Sequence, residues 1–289
     1  MSFADTLKSG KFIVTAELNP PKGTDLSDVL KKAEALKSKV DAFNLTDSAS
    51  AVMTMAPIPV AYRLLELGVE PILQITSRDR NRIAVQGDML GAAQLGVSTM
   101  VFMGGDPPQN GDNPEAKPVF DLDTIALIKL SGAMNGGKDL AGKDLKGAPH
   151  FTAGAVANPG NPNVDQEIQR MQEKIDAGAQ FFQTQAVYDV EGFARFMERA
   201  NKLDTPLIVG HILIKSGPMA TRLNETLPGV HVPDDIIAAM DAAEDKSAKC
   251  IEIGGRLIAE MKQHCQGVHL MAIGWENRIP AILDAAGVK

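Results

Sequence analysis

Hydrophobic and polar positions along the chain follow two alternating rhythms. Short, mostly apolar runs bounded by Gly, Pro or Asn read as buried strands, and each is followed by apolar residues at three- and four-residue spacing, as on one face of a helix. The first unit is a strand at Phe12–Leu18, stopped by Asn19-Pro20-Pro21-Lys22-Gly23. A helix capped by Thr24 or Asp25 follows, with Leu26, Val29, Leu30, Ala33 and Leu36 on one face. Further strands are predicted at Asp41–Asp47, Glu70–Thr76, Ser98–Met103, His150–Val156, Phe181–Gln185, Pro206–Ile214 and Gly267–Ile273. Helices intervene, two ending near Leu67-Gly68 and Leu95-Gly96, others at about Leu122–Leu130, Val164–Ala177 and from Asp189 or Glu191 to Leu203. Three more helical segments, Pro218–Asn224, Pro233–Ala243 and Ser247–His264, precede the last strand, and Glu276–Ala286 follows it. Gly132–Pro149, rich in Gly and Lys, reads as a mobile surface excursion.

Eight β-α units in 289 residues predict an α/β fold, a (β/α)8 TIM barrel with extra helices before the last strand and a single catalytic domain over 1–289. The competing open, doubly wound sheet lacks its G-x-G-x-x-G turn after the first strand. An apolar content of 44% supports a large core, and a net charge of -7 without a long basic run argues against nucleic acid as the main partner. Aromatic residues make up 4%, too few for base-stacking platforms. No apolar run reaches the length of a membrane span, and a start of Met1-Ser2-Phe3-Ala4-Asp5 is unlike a signal peptide. Cys250 and Cys265 therefore read as reduced thiols of a cytoplasmic protein. The five histidines are scattered and no Cys-x-x-Cys or His-Glu-x-x-His spacing occurs, so no metal site is expected. Met53, Met55, Met100 and Met103 read as core filler.

In such a barrel the carboxyl ends of the strands converge on one site. Glu17, Asp47, Gln74, Asp106, Asn158 and Gln185 all stand at predicted strand ends. Glu17 would project from an apolar wall, where desolvation disfavours the charged form and suits a general acid, or it pairs with Lys22 and closes the rim. Asp106, in Gly104-Gly105-Asp106-Pro107-Pro108, would accept amide hydrogen bonds from its own glycine turn and serve as an ionised stabiliser of a cation, or it merely shapes the loop. Asn158 and Gln185 would read the edges of a heterocycle or remain satisfied rim amides.

Four stretches carry a resemblance: Thr15-Ala16-Glu17-Leu18-Asn19-Pro20-Pro21, Gln74-Ile75-Thr76-Ser77-Arg78-Asp79-Arg80-Asn81-Arg82, Gly104-Gly105-Asp106-Pro107-Pro108, and Lys174-Ile175-Asp176-Ala177-Gly178-Ala179 with Gln183-Thr184-Gln185-Ala186-Val187-Tyr188-Asp189. In this order they resemble the methylenetetrahydrofolate reductase family, in its short bacterial form. The resemblance implies a flavoprotein barrel in which NADH or NADPH reduces FAD, with FMN as the alternative, and the flavin passes hydride to methylenetetrahydrofolate. It implies Glu17 as general acid, Asp106 as stabiliser of the cationic intermediate and Gln185 as a folate contact. It places Gln74, Thr76, Arg78, Arg82, Gly105, Asp106, Ala155 and Lys174 around the flavin.

Three positions depart from the family pattern. Gly104 stands where Arg is expected, Gln74 where His is, and Val156 where Tyr is. Arg78, Arg80 and Arg82 either replace the missing charge or are solvated charges at a helix start. These departures leave two rivals, a flavin-free reductase using NAD(P)H directly and a folate-binding subunit of a larger electron-transfer complex. A homo-oligomer is expected, with an electron-transfer partner subunit as a further partner.

Overall fold

The computed structural model describes residues 2–288. Eight parallel strands close into a barrel in chain order: β1 (Ile13–Leu18), β2 (Ala42–Leu45), β3 (Pro71–Thr76), β4 (Thr99–Met103), β5 (Thr152–Ala157), β6 (Phe181–Ala186), β7 (Leu207–Ile212) and β8 (Gly267–Met271). Closure pairs β1 with β8 over Ile13–Ala16 and Gly267–Leu270, so no sheet edge is left open. The helices are α1 (Phe3–Lys8), α2 (Ser27–Leu36), α3 (Pro57–Glu66), α4 (Arg82–Gln94), α5 (Thr124–Asn135), α6 (Val164–Asp176), α7 (Val190–Ala200), α8 (Gly217–Thr226), α9 (Asp234–Ala242), α10 (Lys246–Met261) and α11 (Ile279–Ala285). The extra helices expected before the last strand are α8 and α9.

Alternation along each strand separates two cores. Leu73, Phe102, Phe182 and Val209 face the helices in the main cluster, whereas Ile13, Ala42, Ile72, Val101, Phe181 and Ile208 fill the amino end of the lumen. Phe181 lies across that space because β5 carries Gly154 beside it, where a Cβ would come within 2.3 Å of the ring. The short helix α1, which the periodicity does not announce, plugs the same end. Its Phe3 is fully buried and meets the Phe181 ring edge-on at 5.3 Å. A capping box starts it, with the Asp5 amide donating to Ser2 Oγ at 3.2 Å and the Ser2 amide to Asp5 Oδ2 at 3.1 Å.

Three local expectations change. The N-cap of α2 is Leu26 rather than Thr24 or Asp25, and Asp25 instead accepts the Ser27 amide at 2.9 Å. The α5 helix runs past Leu130 to Asn135, whose side chain exchanges two hydrogen bonds with the Phe151 backbone. The segment expected as an irregular excursion then folds back on itself through an antiparallel bridge between Lys138 and Asp144.

Candidate active site

The carboxyl ends of the strands hold most of the backbone strain. Among the described residues, five of the six non-glycine positions with positive φ lie in loops that leave strands at this face: Ser48, Ser50, Ala51, Phe120 and Ile273. For a bulky or β-branched residue such a conformation is costly, so its clustering here marks the mouth as the functional end. Val52, Met53, Phe120, Val156 and Ile273 expose apolar surface in the same region. Met53, expected in the core, is therefore a rim residue, 50% exposed.

Glu17 lies on the lumen face near the end of β1, with its side chain 16% exposed. Its charged neighbour is not Lys22, which pairs with Asp112 and, with the Met53 amide, holds that carboxyl down at about 2. Glu17 instead has His269 Nε2 of β8 at 3.8 Å from Oε2. Asp106 is exposed on the loop after β4. The amide that binds its carboxylate comes from Ser50 of the β2–α3 loop, at 3.0 Å, rather than from its own glycine turn. Gly105 serves that turn differently. Its φ is +90°, and a Cβ would stand 3.0 Å from Thr76 Cβ and 3.2 Å from Arg78 Cβ, so only glycine lets the loop pack on the end of β3.

Asp47 is a clamp rather than a free site carboxylate. Buried to 5% exposure, it accepts from the Thr76 amide (2.9 Å), Thr76 Oγ1 (2.8 Å) and both terminal nitrogens of Arg80 (2.6 and 3.1 Å). Burial disfavours the charge on Arg80, but Asp47 and Asp88 outweigh it and raise the guanidinium above its ordinary value. Arg78 is buried, paired with Asp79 and aimed at the Ser48 and Asp106 carbonyls. Arg82 forms a two-bond fork with Asp121. All three arginines thus have carboxylate partners. Lys174 donates to the Val156 carbonyl at 2.7 Å, and burial pushes its ammonium below the usual lysine value.

The amides divide. Asn158 ties the β5–α6 loop to the Pro228 carbonyl (3.2 Å) and accepts from the Gly160 amide (3.2 Å), so it is a satisfied rim group. Gln74 and Gln185 remain half-buried at the ends of β3 and β6, with Gln185 Oε1 accepting only the adjacent Ala186 amide at 3.3 Å. Ala155, expected beside a cofactor, is fully buried in the cluster under the helices, and alternation presents Val156, 37% exposed, at the mouth in its place.

Sequence reasoning missed a polar layer inside the lumen. Thr15 of β1, Asn44 of β2, Gln183 of β6 and His269 of β8 are all at least 95% buried and hydrogen-bonded to one another. The signal was present as polar side chains interrupting apolar strand runs: Thr15 and Glu17 in β1, Asn44 in β2, Gln183, Thr184 and Gln185 in β6, and His269 in β8. Nothing in the order of the residues says that Thr15, Asn44, Gln183 and His269 meet.

A sequence profile of the family described as "Methylenetetrahydrofolate reductase" matches residues 2–287. The chain is 22% identical over 290 residues to 5,10-methylenetetrahydrofolate reductase of Pectobacterium carotovorum, covering 97% of this chain and 92% of that one. It is 26% identical over 239 residues to methylenetetrahydrofolate reductase 2 of Saccharomyces cerevisiae, covering 77% of this chain but 37% of the yeast protein. Among solved structures, a tryptophan synthase from Mycobacterium tuberculosis superposes with a TM-score of 0.56 at 11% identity, covering 98% of this chain and 96% of that one. A 2,3-dimethylmalate lyase superposes with a TM-score of 0.53 at 14% identity, covering 99% and 86%. Likeness at that level concerns the barrel alone.

Proposed function

The chain belongs to the methylenetetrahydrofolate reductase family, and from that premise we propose that it reduces 5,10-methylenetetrahydrofolate to 5-methyltetrahydrofolate at the mouth of the barrel. A flavin held at that mouth, FAD or FMN, would supply hydride-transfer chemistry, with NADH or NADPH as the source of its electrons, and Gln74, Gly104 and Val156 would line its ring. The observation that carries the reading is a pair of carboxylates in unlike surroundings at one mouth. Glu17 is enclosed by the lumen wall, and Asp106 stands exposed at the rim, held by one amide.

Those surroundings suit two roles. Glu17 gives its proton to the bridging nitrogen of the substrate's five-membered ring, the carbon–nitrogen bond breaks, and an iminium cation remains. The Asp106 carboxylate faces that charge while the Ser50 amide fixes its position. Gln185, with spare hydrogen-bonding capacity, orients the pterin edge.

The mouth fits a planar ring with polar edges. Val156 offers an apolar wall, Gln74 a half-buried amide, and a Cβ at Gly104 would meet nothing within 4 Å. Cofactor phosphates fit less closely, because Arg78, Arg80 and Arg82 already hold carboxylates and Lys174 a carbonyl. That pairing favours a second reading, direct hydride transfer from NAD(P)H without bound flavin. An anaerobic visible spectrum separates the two. Bands that bleach with NADH and return with methylenetetrahydrofolate support the flavin cycle. A colourless protein that still oxidises NADH when the folate is present replaces it with the second reading, and one that stays inactive with added FAD and FMN refutes both.

A further inference from the structure

The buried polar layer has a direction. Gln183 and Asn44 face each other from opposite sides of the barrel and exchange two hydrogen bonds: Asn44 Nδ2 donates to Gln183 Oε1 at 2.6 Å, and Gln183 Nε2 donates to Asn44 Oδ1 at 3.0 Å. The second hydrogen on Gln183 Nε2 is directed at Thr15 Oγ1, 3.3 Å away. A hydroxyl has one proton to give. Thr15 is fully buried, and among the described residues the acceptor within reach of its hydroxyl proton is His269 Nδ1 at 2.9 Å, so the contact is read with Thr15 donating. An imidazole nitrogen that accepts a hydrogen bond carries no proton, so in the neutral ring the proton sits on Nε2. That nitrogen faces Glu17 Oε2 at 3.8 Å.

We propose that Asn44, Gln183 and Thr15 form a hydrogen-bond chain that fixes His269 as its Nε2-protonated tautomer, making His269 a donor-only positioning residue for Glu17. The role rests on the reading of Glu17 as the general acid. The opposite tautomer would present the Nε2 lone pair to Glu17 as a competing proton acceptor. With Nδ1 occupied by the Thr15 hydroxyl, His269 offers Glu17 only an N–H. The carboxyl is oriented without a competing base, and its proton remains available to the substrate nitrogen. Histidine 269 reaches Glu17 across the seam that closes the barrel, where His269 pairs with Thr15 in register.

The tautomer is directly measurable on the protein without added ligands, by long-range proton–nitrogen NMR of the 15N-histidine-labelled chain, with His269→Gln assigning the signal among the five histidines. The expected result is an unprotonated nitrogen shift at Nδ1 and a protonated one at Nε2. In Thr15→Val the two nitrogens should become mixed in character, and Thr15→Ser, which keeps the hydroxyl, should restore the wild-type pattern. The rate of methylenetetrahydrofolate reduction should fall at least tenfold in Thr15→Val and return in Thr15→Ser, while reduction of any bound flavin by NADH changes less than twofold. Wild-type His269 protonated at Nδ1 would overturn the proposal, since a reversed amide pair turns every donor in the chain around. So would protonation at both nitrogens, or a Thr15→Val rate equal to wild type. The wild-type spectrum decides the tautomer even if Thr15→Val fails to fold. Failure of the underlying reading shows separately, as folate reduction that survives Glu17→Gln.

Discussion

Replacing Asp47 by Asn tests whether this strand-end carboxylate holds the mouth together rather than taking part in the chemistry. The wild-type side chain accepts four hydrogen bonds, three of them on Oδ2. An amide keeps one oxygen and turns the other position into a donor, which would face either Thr76 or the Arg80 guanidinium. Removing one member of a buried ion pair costs about 3–5 kcal/mol. The lower end applies, about 3 kcal/mol, because Arg80 is 15% exposed and keeps Asp88 as a partner. With an unfolding entropy of about 2 cal/mol/K per residue, a chain of this length has about 0.6 kcal/mol/K, so the melting temperature should fall by about 5 °C. Differential scanning calorimetry reads that shift, and Arg80→Gln added to Asp47→Asn should cost less than Arg80→Gln alone, since the pair is already broken. A drop below about 1 °C would refute the clamp. So would a lost folate reaction at unchanged melting temperature, which would return Asp47 to the chemistry.

Glu17→Gln should lower methylenetetrahydrofolate reduction by about 10²–10⁴-fold, measured by stopped flow, and leave reduction of bound flavin by NADH within twofold of wild type, because the proton is needed only in the folate half. Equal loss in both halves would contradict the assignment. Phe3→Ala empties a fully buried site against Phe181 and should cost about 3–5 kcal/mol without altering the KM for the folate; an unchanged melting temperature would mean that α1 does not seal the barrel. His211 is fully buried on β7, and burial pushes its imidazole from 6.5 down to about 4. Between those values the unfolded chain binds a proton that the folded one excludes, so stability falls as pH drops from 6.5 towards 4, by about 3 kcal/mol from this group. Urea titrations of wild type and His211→Gln should therefore converge across that window, and parallel curves would refute the shift.

The barrel is legible in the sequence because its evidence is local. Runs such as Phe12–Leu18 and Ser98–Met103 are too short and too uniformly apolar for helices, their stops are Gly and Pro, and their repetition leaves few topologies open. Glu17 and Asp106 are legible for the same reason, since a charged residue closing an apolar run falls at a strand end wherever the chain lies. The helix α1 was within reach too. Ser2 and Asp5 have the spacing of a capping box, but six residues of Phe3–Lys8 are too few to show a period.

The sequence by itself determined the number of strands, their order, and which of their ends carry polar groups. Only the tertiary structure decided what those polar groups do. Asp47, Asp106 and Asn158 look alike as strand-end residues, yet one clamps Arg80, one stands exposed and one ties down a neighbouring loop. Arg78, Arg80 and Arg82 look like free cations until Asp79, Asp47 and Asp121 are found against them. The physical reason is range. Burial periodicity acts within a few residues, whereas a hydrogen bond depends on which atoms closure brings within about 3 Å. For Thr15 and His269 those atoms come from residues 254 positions apart.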